Sequence, residues 1–351
     1  MTAPMPLGGG GADLLSEVLV TEALAQSCGS TAMCFHMHAS ALQLVFRVAD
    51  REPIPDSLRD IVAGYRLCTY ATSEAGSGSH WWHMDQAAER QGDRYRISAT
   101  KSWATSAGHA DYYVVPLRAS PYADPNELTL FLVPGRGPGV QVMGTWDGSG
   151  MRGNCSTPVQ FDLTVPKSAR LGPSGHGFQL LFAYGLPAFQ LGLAAVYLGI
   201  GQAAYDAAAL HAVRRIYADT GRPKAHSAVT QQDIAEMKLR LDTARSLLYV
   251  VAKSATDRER RGEDPVDLAG DTDFIIAIAQ TKVAACEAAT AVTDTALRVC
   301  GGSAYKRGHV VERCYRDARA GSVMGPDDDS LKILIGQRLL GVPFPWSIRD
   351  A

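Results

Sequence analysis

Two short stretches of this 351-residue chain combine residue types that could hold a flat, anionic ligand. Ser73-Glu74-Ala75-Gly76-Ser77-Gly78-Ser79-His80 follows an apolar run at residues 67–71. Glycines and small hydroxyls after a strand let backbone amides approach a ligand closely and meet its anionic groups. A plain polar turn would read the same way in isolation. Lys101-Ser102-Trp103-Ala104-Thr105-Ser106-Ala107-Gly108 sets an indole and a hydroxyl two residues apart, on one face of a strand. Such a pair can lie against a heteroaromatic ring while the hydroxyl bonds its edge. A core Trp with a Thr neighbour is the simpler alternative.

Other clusters point elsewhere. Cys28, Cys34, His36 and His38 carry metal-ligand types, but histidines two apart do not share a helical face, so a buried helix with incidental thiols and no metal is expected. Asp327, Asp328 and Asp329 precede Ser330-Leu331-Lys332-Ile333, a pattern typical of a helix cap and of acidic residues on the positive end of a helix dipole.

The elements that must position these residues change character twice. Residues 13–66 read as helical: Leu14, Leu15, Val18, Leu19 and Ala23 fall at helical spacings, and Ser30 could cap a second helix through Phe35 and Leu42. Pro53 and Pro55 break it, and Asp56 can cap the next short helix. From 67 to about 165, runs such as Tyr112-Tyr113-Val114-Val115 and Leu128-Thr129-Leu130-Phe131-Leu132-Val133 are β-branched, aromatic and bounded by turn residues. Beyond Pro166 long helices return. Ile234, Met237, Leu241, Ala244, Leu248 and Val251 form a bundle stripe, and a second apolar helix from about Thr272 to Cys300 stops at Gly301-Gly302. The expected fold is α+β multidomain: N-terminal helices (1–66), a central antiparallel β-barrel or sandwich (67–167), and a C-terminal four-helix-type bundle (168–351).

Composition sets bounds on function. Apolar residues make up 46% and charged residues 20%, the ordinary globular balance. A net charge of -2 offers no electrostatic footprint for nucleic acid. The longest basic run, Arg258-Glu259-Arg260-Arg261, is too short for a polybasic membrane patch. The opening MTAPMPLGGGG lacks the basic start and apolar core of a signal peptide. Residues 186–210 are apolar but studded with Gly, Gln and Asp, as in a buried helix. Seven scattered cysteines suit a reducing cytoplasm better than a disulfide framework.

Taken in order along the chain, these segments resemble the acyl-CoA dehydrogenase superfamily. Residues 70–80 resemble its TEPGAGSD loop, and Lys101-Ser102-Trp103-Ala104-Thr105 resembles its K-x-W-I-T segment. Leu7-Gly8-Gly9-Gly10-Gly11 resembles its GG-x-G entry. Met151-Arg152-Gly153 with Val165-Pro166 resembles the end of its barrel, and Leu198-Gly199-Ile200-Gly201-Gln202 a bundle-helix landmark. Cys300-Gly301-Gly302 followed by Arg316-Asp317-Ala318 resembles its GG…R-D-A stretch. The resemblance implies FAD bound between barrel and bundle, across a subunit boundary of a homodimer or homotetramer. It also implies oxidation of an acyl thioester, carried by CoA or a carrier protein, to a 2-enoyl thioester. The electron acceptor would be an electron-transfer flavoprotein or oxygen. By position, Tyr70, Thr72 and Ser73 would line the flavin ring, and Trp103 and Thr105 would pack against its other edge. Ser79, with His80 beside it, would meet the CoA part of the substrate. Arg298, Gly301 and Gly302 would hold the neighbouring subunit's adenine half.

There are departures. The family's catalytic Glu, counted from Arg316-Asp317-Ala318, falls at Gly325, which cannot act as a base. A second base position used by some members falls at Phe189 and Gln190. Asp327 is then the nearest candidate for a displaced base. A flavin-dependent monooxygenase and a non-redox flavin-binding member are the rival readings. The R-x-x-F-G grip on pyrophosphate keeps only Gly221, leaving Arg214 or Arg215 to supply charge. His80-Trp81-Trp82-His83 replaces the usual Asp after Ser79, as strand-edge packing, as an altered acyl or pantetheine pocket, or as a neutral imidazole serving the flavin. The family's first helices are absent, so a truncated N-terminal domain, or a start further upstream, is expected.

Overall fold

Asp13 caps the first long helix, its carboxylate accepting from Ser16 N at 2.8 Å. The computed structural model describes residues 1–49, 56–78, 80 and 83–342; Pro53, Pro55, Ser79, Trp81 and Trp82 lie outside them. Helix α1 (Leu14–Ser27) is followed by α2 (Gly29–Ala49) and α3 (Asp56–Val62). Ser30 does not stand before α2 as its cap but lies inside it. Its hydroxyl accepts instead from Gly153 N at 3.1 Å and ties the helix to the β region.

The strands are β1 (Cys68–Tyr70), β2 (Ala88–Gln91), β3 (Arg94–Ala104), β4 (Tyr112–Arg118), β5 (Leu128–Pro134), β6 (Val140–Val142), β7 (Thr157–Pro166) and β8 (Arg170–Leu171). They form two open four-stranded sheets, ordered β1-β4-β5-β8 and β2-β3-β7-β6, rather than a closed barrel. The pairing is antiparallel except that β1 runs parallel to β4, with Cys68 beside Tyr112. After β1 the chain leaves for the other sheet and returns as β4, so the two meet through a crossover and not a hairpin. Between the sheets Ile97, Tyr113, Phe131 and Phe161 are fully buried. Their neighbours Val114, Leu130 and Leu132 point the other way, into the helical core. Burial on both faces explains why β4 and β5 are continuously apolar.

The C-terminal half contains α4 (Gly177–Leu180), which runs through a π-helical turn at Leu181–Gly185 into α5 (Leu186–Arg214). It continues with α6 (Ala228–Arg260), α7 (Pro265–Gly270), α8 (Thr272–Cys300), α9 (Val310–Ala318), α10 (Ala320–Val323) and α11 (Asp328–Leu340). Residues 177–214 and 272–303 are long and apolar enough to cross a bilayer, but most of each is buried in the bundle, and they are its central rods. The stripe Met237, Leu241, Ala244, Leu248 and Val251 faces inward as its spacing predicts. Gly199 sits where α5 crosses α1: a Cβ there would overlap the Glu22 carbonyl. The Leu-Gly-Ile landmark is therefore a close helix approach.

Candidate active site

A buried ion pair joins the two stretches singled out in the sequence. Lys101 Nζ donates to Glu74 Oε1 at 2.6 Å and to the Pro116 carbonyl at 2.7 Å, with both side chains sealed from solvent. Glu74 Oε2 accepts from Asp85 N and Gln86 N at 2.7 and 3.1 Å. Burial pushes the Lys101 ammonium pKa down, and the Glu74 carboxylate opposes that shift. Ser102 N donates to the Ser73 carbonyl at 2.7 Å. The loop after β1 is thus fastened to β3 at both the side-chain and backbone level, leaving Thr72 and Ser73 half-buried along its edge. Both residues stand in the two candidate segments, but residue order does not show that they pair. The available signal was a charged residue of each sign next to two candidate ligand-binding segments.

Trp103 is the residue that stands out on β3. It is 61% exposed, on a strand whose alternate side chains are buried. Its ring meets the edge of Trp146 at 6.0 Å, and Trp146 Nε1 donates to the Met151 carbonyl at 2.8 Å. Thr105 is buried and shares a hydrogen bond of 3.1 Å with Ser156. The adjoining backbone is strained: Ser106, Met151 and Cys155, none a glycine, have φ of 61, 51 and 49°. Such conformations cost roughly 1–3 kcal/mol each and cluster at ligand sites. Here Ser106 N donates to the Asn154 carbonyl and Ala107 N to the Cys155 carbonyl, so each strained turn holds the other.

Tyr70 is placed differently from the sequence-based expectation. Its hydroxyl donates to the Ser40 carbonyl at 3.0 Å, and its ring packs against Phe189 at 5.7 Å, inside the helical core. It anchors the loop from behind, and burial holds its phenol well above the usual pKa. His38 does the same for β1: Nδ1 accepts from Cys68 N at 3.1 Å, and burial lowers its pKa, favouring the neutral acceptor. His80 is exposed in a turn, its N–H donating to the Ser77 carbonyl at 2.9 Å. Ser79 lies outside the described residues.

The segment carrying Gly325 is pinned by a second buried lysine. Lys282 Nζ donates to the carbonyls of Gly321, Met324 and Pro326 at 2.9, 3.3 and 3.1 Å, and to Asp328 Oδ1 at 2.7 Å. Gly325 itself is exposed, and a Cβ built on it would meet nothing within 4 Å. Asp327 is the N-cap of α11. One carboxylate oxygen accepts from Ser330 N at 2.9 Å, the other from Ser330 Oγ at 2.8 Å. That engagement gives Asp327 the cap role, and a carboxylate held this way is poorly placed to serve as a mobile base. Asp327→Asn should leave any substrate-driven flavin reduction unchanged and barely alter stability, since Asn caps as well as Asp. A rate drop of about 10²–10⁴-fold in stopped-flow bleaching would reinstate Asp327 as the base.

Arg298, Gly301 and Gly302 lie at the exposed end of α8. The Arg298 guanidinium is 61% exposed and has only loose ion pairs, 3.8 Å to Asp233 and 3.7 Å to Asp294. Gly301 has φ +63°, the reversal that ends the helix. Arg214 and Arg215 are likewise exposed, at the end of α5.

The residues of the β1–β3 edge fit a large heteroaromatic cofactor. An exposed indole is buttressed from behind, hydroxyls lie at its side, and two buried anchors keep the flanking loop in place. Helices precede and follow the paired sheets along the chain and pack on the β1-β4-β5-β8 sheet, with this platform at the edge of the sheets. Comparison with known proteins makes the class specific. The family descriptions "Acyl-CoA dehydrogenase, middle domain" and "Acyl-CoA dehydrogenase, C-terminal domain" match residues 69–164 and 175–340. The human short-chain specific acyl-CoA dehydrogenase of mitochondria is 30% identical over 342 residues, covering 97% of this chain and 79% of that protein. A 3-sulfinopropanoyl-CoA desulfinase of Paraburkholderia xenovorans is 30% identical over 348 residues, covering 97% and 84%. A solved FAD-dependent dehydrogenase superposes with a TM-score of 0.81 at 26% identity, covering 98% of this chain and 89% of the other. The chain belongs to the acyl-CoA dehydrogenase family, and its cofactor is FAD.

Proposed function

We propose that this protein binds FAD on the Trp103–Thr105 and Thr72–Ser73 platform and desaturates an acyl thioester, carried by CoA or a carrier protein, between its α and β carbons. The observation that carries the reading is the doubly fastened platform: a buried Lys101–Glu74 pair behind an exposed Trp103. FAD supplies the hydride acceptor when bound. The chain supplies the rest. Trp103 and Thr105 orient the ring, the backbone at Thr72 and Ser73 borders it, and the Lys282-pinned segment sets the wall at residue 325. Purified protein should be yellow with a flavin spectrum, and octanoyl-CoA should bleach it anaerobically. Colourless protein that takes up no FAD on titration would overturn the reading.

One observation favours a second reading. Gly325 presents no side chain, and Asp327 is tied to Ser330. A site without a carboxylate at these positions suits a flavin-dependent monooxygenase, which needs no α-proton abstraction. Oxygen consumption with externally reduced flavin, without bleaching by thioesters, would select it. Electrons would pass to an electron-transfer flavoprotein or to oxygen, and the seven unpaired cysteines support a reducing, cytoplasmic setting. The exposed residues 298–302 would complete a neighbouring subunit's cofactor site in a homodimer or homotetramer. Light scattering should therefore report a mass of two or four chains. A monomer that retains FAD would remove the cross-subunit role of Arg298, Gly301 and Gly302.

A further inference from the structure

The strap between β6 and β7 joins the helical half of the chain to the platform through an acidic side chain that the proposed chemistry does not use. Asp317, at the end of α9, is buried, and its Oδ1 accepts from Met151 N at 2.7 Å. Burial pushes its carboxyl pKa up, while the Met151 N–H and the Arg316 and Arg313 charges oppose that shift. Met151 is itself buried and holds φ 51°, a left-handed backbone that a non-glycine residue keeps only where its surroundings impose it. Its carbonyl accepts from Trp146 Nε1 at 2.8 Å and from Asn154 N at 3.2 Å. The N–H of this one residue is committed to α9, and its carbonyl to the indole and to the strap.

The rest of the strap allows little slack. Gly150 lies against the α9 backbone, where a Cβ would overlap the Arg316 carbonyl, and Arg316 Nη1 donates to the Ser149 carbonyl at 3.1 Å. Farther along, Gly153 N donates to Ser30 Oγ on α2 at 3.1 Å. A Cβ on Gly148 would overlap the Trp146 ring, so the indole folds back over its own turn. Trp146 then meets Trp103 edge-on, with centroids 6.0 Å apart and planes at 77°. An exposed aromatic side chain has several staggered positions open to it, and an edge contact of this kind selects one. Beyond Asp317 the chain runs through α10 into the Lys282-held turn at residue 325. Asp317 therefore stands between the two walls of the proposed site.

We infer that Asp317 is a positioning residue for the cofactor platform: through Met151 and Trp146 it fixes the orientation of Trp103, and with it the plane in which a flavin ring is held. The inference rests on the FAD-platform reading above. Asp317 acts through hydrogen bonds alone, so its acceptor oxygen is required and its charge is not.

The test reads two signals from the FAD-loaded protein. An edge-to-face tryptophan pair gives an exciton couplet in far-UV circular dichroism, and Trp146→Phe identifies the part that belongs to this pair. Flavin fluorescence on dilution gives the FAD dissociation constant. In Asp317→Ala the couplet should collapse to the Trp146→Phe level, and the dissociation constant should rise about tenfold, the factor that one buried hydrogen bond carries. Asp317→Leu, of similar size and without an acceptor, serves if the space left by alanine prevents folding. Asp317→Asn keeps an acceptor for Met151 N and should retain both signals. Trp146→Phe should weaken FAD to a similar degree, and adding Asp317→Ala to it should change little more, because both break the same path. A folded Asp317→Ala or Asp317→Leu with couplet and FAD affinity unchanged overturns the inference and leaves the platform reading intact. So does an equal loss in Asp317→Asn, because the charge would then carry the effect. Losses that simply add in the double variant overturn it as well. Unaltered protein that takes up no FAD overturns the platform reading and, with it, the inference.

Discussion

Gly325→Glu should accelerate anaerobic bleaching of the flavin by acyl-CoA by about 10²–10⁴-fold, the usual contribution of a positioned general base. The position is prepared for the change. Gly325 is exposed, its φ lies outside the left-handed region, and a Cβ there meets nothing within 4 Å. Lys282 holds the carbonyls on either side, at Met324 and Pro326, so a new carboxylate would project from a fixed backbone. A surface substitution of this kind should change stability by no more than about 0.5 kcal/mol. Stopped-flow absorbance on the anaerobic protein reads the effect directly. An unchanged rate in a folded, FAD-loaded variant would mean that residue 325 does not face the substrate α-carbon, and would strengthen the monooxygenase reading.

Lys101→Met should be the most damaging single change to the platform. Removing one partner of a buried pair leaves the other charge uncompensated, at a cost of about 3–5 kcal/mol. Glu74 keeps its two backbone donors, Asp85 N and Gln86 N, which places the expected loss toward the lower end of that range. Because the pair fastens the loop bearing Thr72 and Ser73, FAD affinity should fall along with the denaturation midpoint. The double variant Lys101→Met, Glu74→Gln should recover part of both losses, since no buried charge then remains. A single-variant loss below about 1 kcal/mol with FAD affinity intact would show that the platform does not depend on this pair. Lys282, with an even fuller set of acceptors, should behave similarly toward the segment at residues 321–328, but with the loss expressed in the positioning of residue 325.

Local features were readable from residue order alone, because they depend on neighbours within a turn or two. The α6 stripe and the capping pattern at Asp327 to Ser330 involve residues three or four apart, the glycine stop directly follows Cys300, and all are found as expected. Family membership was also readable, because it rests on the order of short segments and not on their contacts.

What the sequence alone could not decide involves contacts between distant residues. Lys101 reaches Glu74 across 27 positions, His38 reaches Cys68 across 30, and Asp317 accepts from Met151 N across 166. Nothing in the local pattern says which buried charge pairs with which. Tyr70 illustrates the same limit. Its place in a ligand-like loop suggested a ring-lining role, but its hydroxyl reaches the Ser40 carbonyl on α2 and its ring meets Phe189 on α5, in the helical core. The open, partly parallel sheets followed from where the chain crosses between layers, which propensity does not encode. Asp327 is the converse case: its cap on Ser330, three residues on, is local and was readable from the Asp-x-x-Ser pattern.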